Sequence, residues 1–346
     1  MRQVGIRSCI SAAAFAALSV AAAPALAGLV PANIFTGNVA LSIDGVGSNS
    51  SPVGTIQAEI PTTATVLQAY LYAAGTPFPF YSNSPDTLAE YNGAGITLAG
   101  SAVTNFDTLV GAVSDRVDIG RWFTGRADVT SIVNAVRAAN PGVSSLNFDY
   151  VEGAALNNRI DGGVLVIAYS DPSLPMGSVV ILDGGQDTGG ETTVVNLGDP
   201  LSDVTNPAFF ATMSLAISFS CCGQQSTVDV NGTNLTNAAG NNNDGLLVQD
   251  GALITVGGIG DSTGNENTYE TDDELYNLVP FLNTGDTSFT IFSSNATNDD
   301  NIFFMGLHIA ARVTGINEAP EPGTLALLGL ALAGLGFAGR RRALGA

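Results

Sequence analysis

GGVLVIAYSDPSLPMGSVVILDGG, residues 162–185, sets two apolar runs (162–169 and 178–184) on either side of a Ser/Asp/Pro turn cluster. Each run has the length and Val/Ile/Leu content of a β-strand. The same rhythm extends in both directions. VALSI (39–43), TVLQAYLYAA (65–74) and SLNFDY (145–150) precede it, and ATMSLAISFS (211–220), ALITVGG (252–258), TSFTIFSS (287–294) and IFFMGLHIAARV (302–313) follow. Gly, Asn, Asp and Pro clusters separate these runs, and 41 glycines suit many tight turns. The pattern predicts an all-β body, a sandwich or jelly-roll-like arrangement of antiparallel sheets.

Two short helices are expected to interrupt the strands. DVTSIVNAVRAANPG (128–142) puts Val129, Ile132, Val133 and Val136 on one stripe, with Asp128 as the cap and Pro141-Gly142 as the stop. ETDDELYNLVP (270–280) has Thr271 and Glu274 in capping-box spacing. There is no fixed-period repeat and no linker before about Gly315, so residues 28–316 read as one extracellular domain.

Charge narrows the chemistry. Residues 28–318 hold six arginines, thirty acidic residues and no lysine, a net charge near −24. Such a surface repels nucleic acid and anionic membranes, and it attracts cations. Without lysine there is no Schiff base. His308, the single histidine, is the sole candidate for a Ser-His-Asp or His-metal site. It shares a strand face with Phe304, Gly306 and Ala310, which favours a structural role. Paired carboxylates, as in glycosidases, remain open.

The two ends give an address. Arg2 and Arg7, the apolar run 9–23 and Ala25-Leu26-Ala27 form a secretory signal peptide over residues 1–27, with the cut before Gly28. Residues 317–346 contain Pro320-Glu321-Pro322, an apolar run over about 324–339, and then Arg340, Arg341 and Arg342. Sixteen helical residues span about 24 Å, marginal for a hydrocarbon core of roughly 30 Å. The arginines keep the tail cytoplasmic, so the body lies outside.

That order of features resembles the PEP-CTERM sorting signal of Gram-negative bacteria. The resemblance implies an exosortase partner, membrane attachment through the C-terminal helix before processing, and cleavage near Pro320-Glu321-Pro322. It also implies passage through an inner-membrane intermediate to the cell surface or the exopolysaccharide matrix of a biofilm. Two prolines forbid helix at the motif and keep it extended. A second resemblance covers roughly 110–315. DVTSIV, GGVLVIAYSDPSLP and VVILDGG, followed by GDPLSDV, NNNDG and TSFTIFSSNATNDDN, are similar to an adhesin-like β domain of exported bacterial and archaeal surface proteins. Val164 stands where that type carries an aromatic. This second resemblance implies fold alone.

Three places offer candidate sites. DGGQDTGGE (183–191), NNNDG (241–245) and NATNDDN (295–301) supply oxygen ligands for Ca²⁺, with Asp183, Asp187, Glu191, Asp244, Asp299 and Asp300 as the carboxylates. None has EF-hand spacing, and such clusters are also ordinary turn chemistry. Cys221-Cys222 admits a vicinal disulfide, an intermolecular disulfide or two free thiols. TPFPFYSNSPDTLAEYNG (76–93) gathers Phe78, Phe80, Tyr81 and Tyr91, which either stack on glycan or fold back as a satellite core.

These features point to an exported, exosortase-sorted surface or matrix protein that is structural or polysaccharide-associated, non-enzymatic, and needs no cofactor. A secreted carbohydrate-active enzyme using paired carboxylates is the alternative.

Overall fold

The computed structural model describes residues 28–48, 51–75, 88–112, 122–153, 160–186, 190–218, 226–239, 254–256, 275–295 and 301–318. Strands dominate, and every pairing among them is antiparallel. They form four sheets.

A first inner sheet has the order β2 (Val39–Gly47), β10 (Ile160–Ser170), β4 (Thr65–Gly75), β8 (Trp122–Asp128), β7 (Phe106–Ala112). A second runs β1 (Val30–Gly37), β11 (Gly177–Asp183), β19 (Asn301–Ile309), β13 (Ala211–Ser218), β16 (Ile254–Val256), with β17 (Leu275–Asn277) also pairing β13. The outer sheet beyond the first runs β3 (Val53–Glu59), β9 (Ser145–Val151), β5 (Thr97–Leu98), β6 (Ser101–Ala102). The outer sheet beyond the second runs β15 (Thr233–Ala239), β14 (Ser226–Val230), β18 (Ser288–Asn295), β12 (Glu191–Leu197), β20 (Val313–Glu318).

The side-chain period of two explains how four sheets stack. Along β10, Val164, Val166 and Ala168 pack toward the second inner sheet, while Leu165, Ile167 and Tyr169 pack toward β3 and β9. In β11, Val179 and Ile181 face the first inner sheet, whereas Val180 and Leu182 face β12 and β18. Both faces of these strands are dry, and β2 and β11 are buried at every position. That is why the two runs that open the sequence argument are apolar throughout rather than alternating. In the outer sheets β9 and β12 alternate instead. The expected sandwich is therefore doubled: two sandwiches share a central apolar interlayer. Each Val, Leu or Ile fully buried there contributes about 1.5–3 kcal/mol.

The central interlayer is close. A Cβ on Gly306 would lie 2.8 Å from Ile43 Cδ1 and 2.9 Å from the Phe304 ring, so glycine lets β19 approach β2. Next to it, Ala216 pairs with Phe304 and Ile217 with Ile302, so Phe303 is an inserted bulge residue. The bulge puts both Phe303 and Phe304 in the central core.

Of the helices, the first expected one forms over Thr130–Ala139. Val129 and Val133 are fully buried on the expected stripe, and Gly142 at φ +81° follows the helix end. Asp128 accepts the Thr130 N–H at 2.9 Å, though the N-cap position falls on Val129. The helix expected over 270–280 is corrected. Residues 270–274 lie outside the described residues, and Leu275–Asn277 is a strand whose Tyr276 pairs with Met213. Tyr276 is buried and its two neighbours are exposed, a period-two pattern that capping-box spacing concealed. Val279–Phe281 is a 3-10 turn. A short helix, Leu88–Gly93, stands where no helix was expected. No helix among the described residues is long and apolar enough to cross a membrane, and the run 324–339 lies outside them.

Candidate functional site

The strands give the molecule two distinct ends. At one end lie Gly75 paired with Ile160, Asp183 with Phe304, Ser218 with Asn301, and Thr193 with Glu318. At the other lie Val39 paired with Ser170, Gly177 with Gly37, and Ala211 with Ile309. Chain length along β11 makes the ends about 20 Å apart. The described chain leaves the fold at Glu318, on the first end.

Asp183 sits at that first end, but it is not an open loop ligand. Asp183 is buried, and its carboxylate accepts from Arg126 Nη1 at 2.5 Å and from the Tyr72 hydroxyl at 2.9 Å. The guanidinium also lies 4.9 Å over the Tyr70 ring, and the Tyr70 hydroxyl donates to Asn33 Oδ1 at 2.8 Å. Burial, then the adjacent Asp183 carboxylate, push the Tyr72 pKa well above its ordinary value, so this hydroxyl remains a donor. Burial opposes the charge on Arg126 most strongly, but the Asp183 charge, its hydrogen bond and the two tyrosines together hold the guanidinium pKa above its usual value. The group ties the two inner sheets together: Tyr70 and Tyr72 come from β4, Arg126 from β8, Asn33 from β1 and Asp183 from β11. Nearby, Thr124 Oγ1, Ser218 Oγ and both amide atoms of Gln186 are buried without a hydrogen-bond partner.

Glu191, the other described member of the acidic set, is buried at the start of β12 and accepts the Leu29 N–H at 3.2 Å. Asp187, Asp244, Asp299 and Asp300 lie outside the described residues. Among the described residues, no group of three or more His, Cys, Asp or Glu is placed to hold a metal ion. Cys221 and Cys222 are also outside them, as are Phe78, Phe80 and Tyr81.

Tyr91 is described, and it takes the second of the two alternatives stated for it, the core. It is fully buried, with its ring 5.4 Å from that of Phe106. A Cβ on Gly125 would come within 2.7 Å of it, so glycine on β8 makes room for the ring. Tyr91 has no face to offer a sugar and belongs to the core between the first inner and outer sheets.

His308 occupies the strand position expected of it. Its ring packs 4.5 Å from that of Phe210, and burial, opposed by a hydrogen bond with the Val39 backbone, lowers its pKa below the ordinary imidazole value. No acid or nucleophile accompanies it in these contacts.

The end opposite the chain's exit carries two surface grooves. One, of about 520 Å³, runs along 34–39 and past Leu67, Asp171 and Pro172. The second, of about 690 Å³, lies between the 204–212 segment and residues 277–283. Neither was foreseen in the sequence, because each joins segments far apart in the chain.

Comparison with known families places a motif at the chain's exit. Residues 318–342 match the PEP-CTERM protein-sorting motif, and the match begins at Glu318, the last residue of β20. It contains Pro320, Glu321, Pro322, Arg340, Arg341 and Arg342. The chain thus carries the signal of exported proteins that an exosortase sorts at the membrane for the cell surface. No curated protein and no solved structure matches the chain.

Proposed function

We propose that the body of this PEP-CTERM-bearing chain works at the cell surface or in the exopolysaccharide matrix of a Gram-negative bacterium, as a non-enzymatic structural or polysaccharide-associated protein. The signal peptide over 1–27 starts its export. The apolar run over about 324–339 holds it in the inner membrane until an exosortase acts near Pro320-Glu321-Pro322. The observation that carries this reading is the junction at Glu318. A folded four-sheet body passes, with no intervening domain, into the sorting signal. The chemistry agrees: a body without lysine, whose one histidine packs in a strand, has few groups suited to covalent or acid–base catalysis.

Calcium has a place in this proposal through Asp187, Asp244, Asp299 and Asp300, since Asp183 is occupied by Arg126 and Tyr72. A body with a net charge near −24 repels acidic polymers unless a divalent cation bridges them. The test is co-sedimentation of the exported protein with the host's own matrix, with calcium and with chelator, followed by sizing of the polymer. We expect retention with polymer length unchanged, and release of any acidic fraction by chelator. Absence of binding under both conditions contradicts a polysaccharide association. A shortened polymer contradicts the non-enzymatic reading and promotes a glycosidase with paired carboxylates.

A further inference from the structure

We infer that the groove between residues 204–212 and 277–283 is a binding site for a neutral polysaccharide; this inference rests on the matrix reading above and gives it a location. The first argument is chemical. Phe209 and Phe210 are partly exposed in the groove, and the exposed amides of Asn206, Asn277 and Asn283 surround them. Asn206 Oδ1 accepts the Ala208 N–H at 2.9 Å, and Asn277 Oδ1 accepts the Val279 N–H at 3.0 Å. Each bond spends the carbonyl side of an amide and leaves its Nδ2 as a donor of fixed direction. Aromatic faces flanked by fixed amide donors suit a sugar ring, whose C–H face stacks and whose hydroxyls accept.

The second argument is electrostatic. Among the described residues no charged side chain lines this groove, but carboxylates stand at its rim: Asp203 Oδ1 accepts the Thr205 N–H at 2.9 Å and Asp286 Oδ2 accepts the Asn283 N–H at 2.8 Å. A groove with an acidic rim in so acidic a body suits a polymer without carboxylates or sulfates, since an anionic chain would be repelled on approach.

The third argument is positional. β20 delivers the chain to the sorting signal at one end of the sheets, and the groove opens at the other, where Ala211 begins β13. While the tail is in the membrane, the groove is on the end away from the tail's attachment. An open groove of about 690 Å³ has room for several sugar units of a passing chain.

The experiment uses the exported protein and two variants. Asn206→Asp with Asn277→Asp keeps both turn acceptors while replacing each outward donor by a carboxylate. Phe209→Ala removes an aromatic face, with its melting curve recorded alongside. The probes in affinity electrophoresis are galactomannan and dextran, with polygalacturonate as the acidic control. We expect at least one neutral polymer to retard the wild type, and the double Asp variant to lose at least tenfold in affinity at unchanged melting temperature. Equal retardation of wild type and double variant, or no retardation by either neutral polymer, overturns the site. Co-sedimentation with host matrix separates this from the wider reading. If wild type and variant sediment equally, the groove is wrong and the polysaccharide association stands; if the wild type does not sediment, that association falls as well.

Discussion

Replacing Tyr91 with alanine is expected to destabilise the protein by about 3–5 kcal/mol, the range for deleting a fully buried aromatic side chain. The ring is 0% exposed and meets Phe106 on one side and the Cβ-less Gly125 on another. Neither neighbour can move in to fill the space, because both belong to the paired strands β7 and β8. A urea titration of wild type and Tyr91→Ala measures the effect through the midpoint at unchanged slope. A loss below about 1 kcal/mol would show that the 88–93 helix is not docked as described. The same variant distinguishes the two readings for Tyr91, since a surface stacking residue could be removed at little cost in stability.

Replacing Arg126 with alanine is expected to cost about 3 kcal/mol, the lower end of the range for breaking a buried ion pair. The lower end applies because the guanidinium side chain is 17% exposed while its partner carboxylate is 4% exposed. What is lost is less the attraction than the shelter of Asp183, left in the interlayer with the Tyr72 hydroxyl beside it. Removing the whole polar group together, as Arg126→Met, Asp183→Leu and Tyr72→Phe, should restore most of the stability. If the triple variant is no more stable than Arg126→Ala, the cost comes from packing and not from the stranded charge. The pH dependence follows from Tyr72. Its pKa is raised in the fold, so its contribution is whole below the ordinary tyrosine value of about 10 and declines as pH rises beyond it.

Of the two inner sheets, β1, β7 and β8 were missed and β17 was read as part of a helix, whereas β2, β4, β10, β11, β13 and β19 were legible because their burial leaves apolar runs. GGVLVIAY and SVVILDG are such runs. The outer strands were harder. Glu191 and Thr193 of β12 and Ser226 of β14 are buried beside Val195, Leu197, Val228 and Val230, so the face of each strand that should look apolar is partly polar. A period-two reading finds too few matches there. The doubled stack was not legible at all, since strand runs say which residues are buried and not which sheet covers them. Asp183 shows the same limit for sites. Locally it opens a Gly-rich acidic loop, the pattern of a calcium ligand, and its partner Arg126 is 57 positions away. The sorting signal was legible in full because its features are contiguous and require no fold.

The central claim is that an exosortase acts on this chain at the segment that follows β20. Intact mass of the protein recovered from the cell surface, in a producing strain with its exosortase and in one without, tests it most directly. The account predicts a chain that begins at Gly28 and ends near Pro320 in the first strain, and a tail-bearing, membrane-held form in the second. A surface form that still ends at Ala346 in both strains would contradict it.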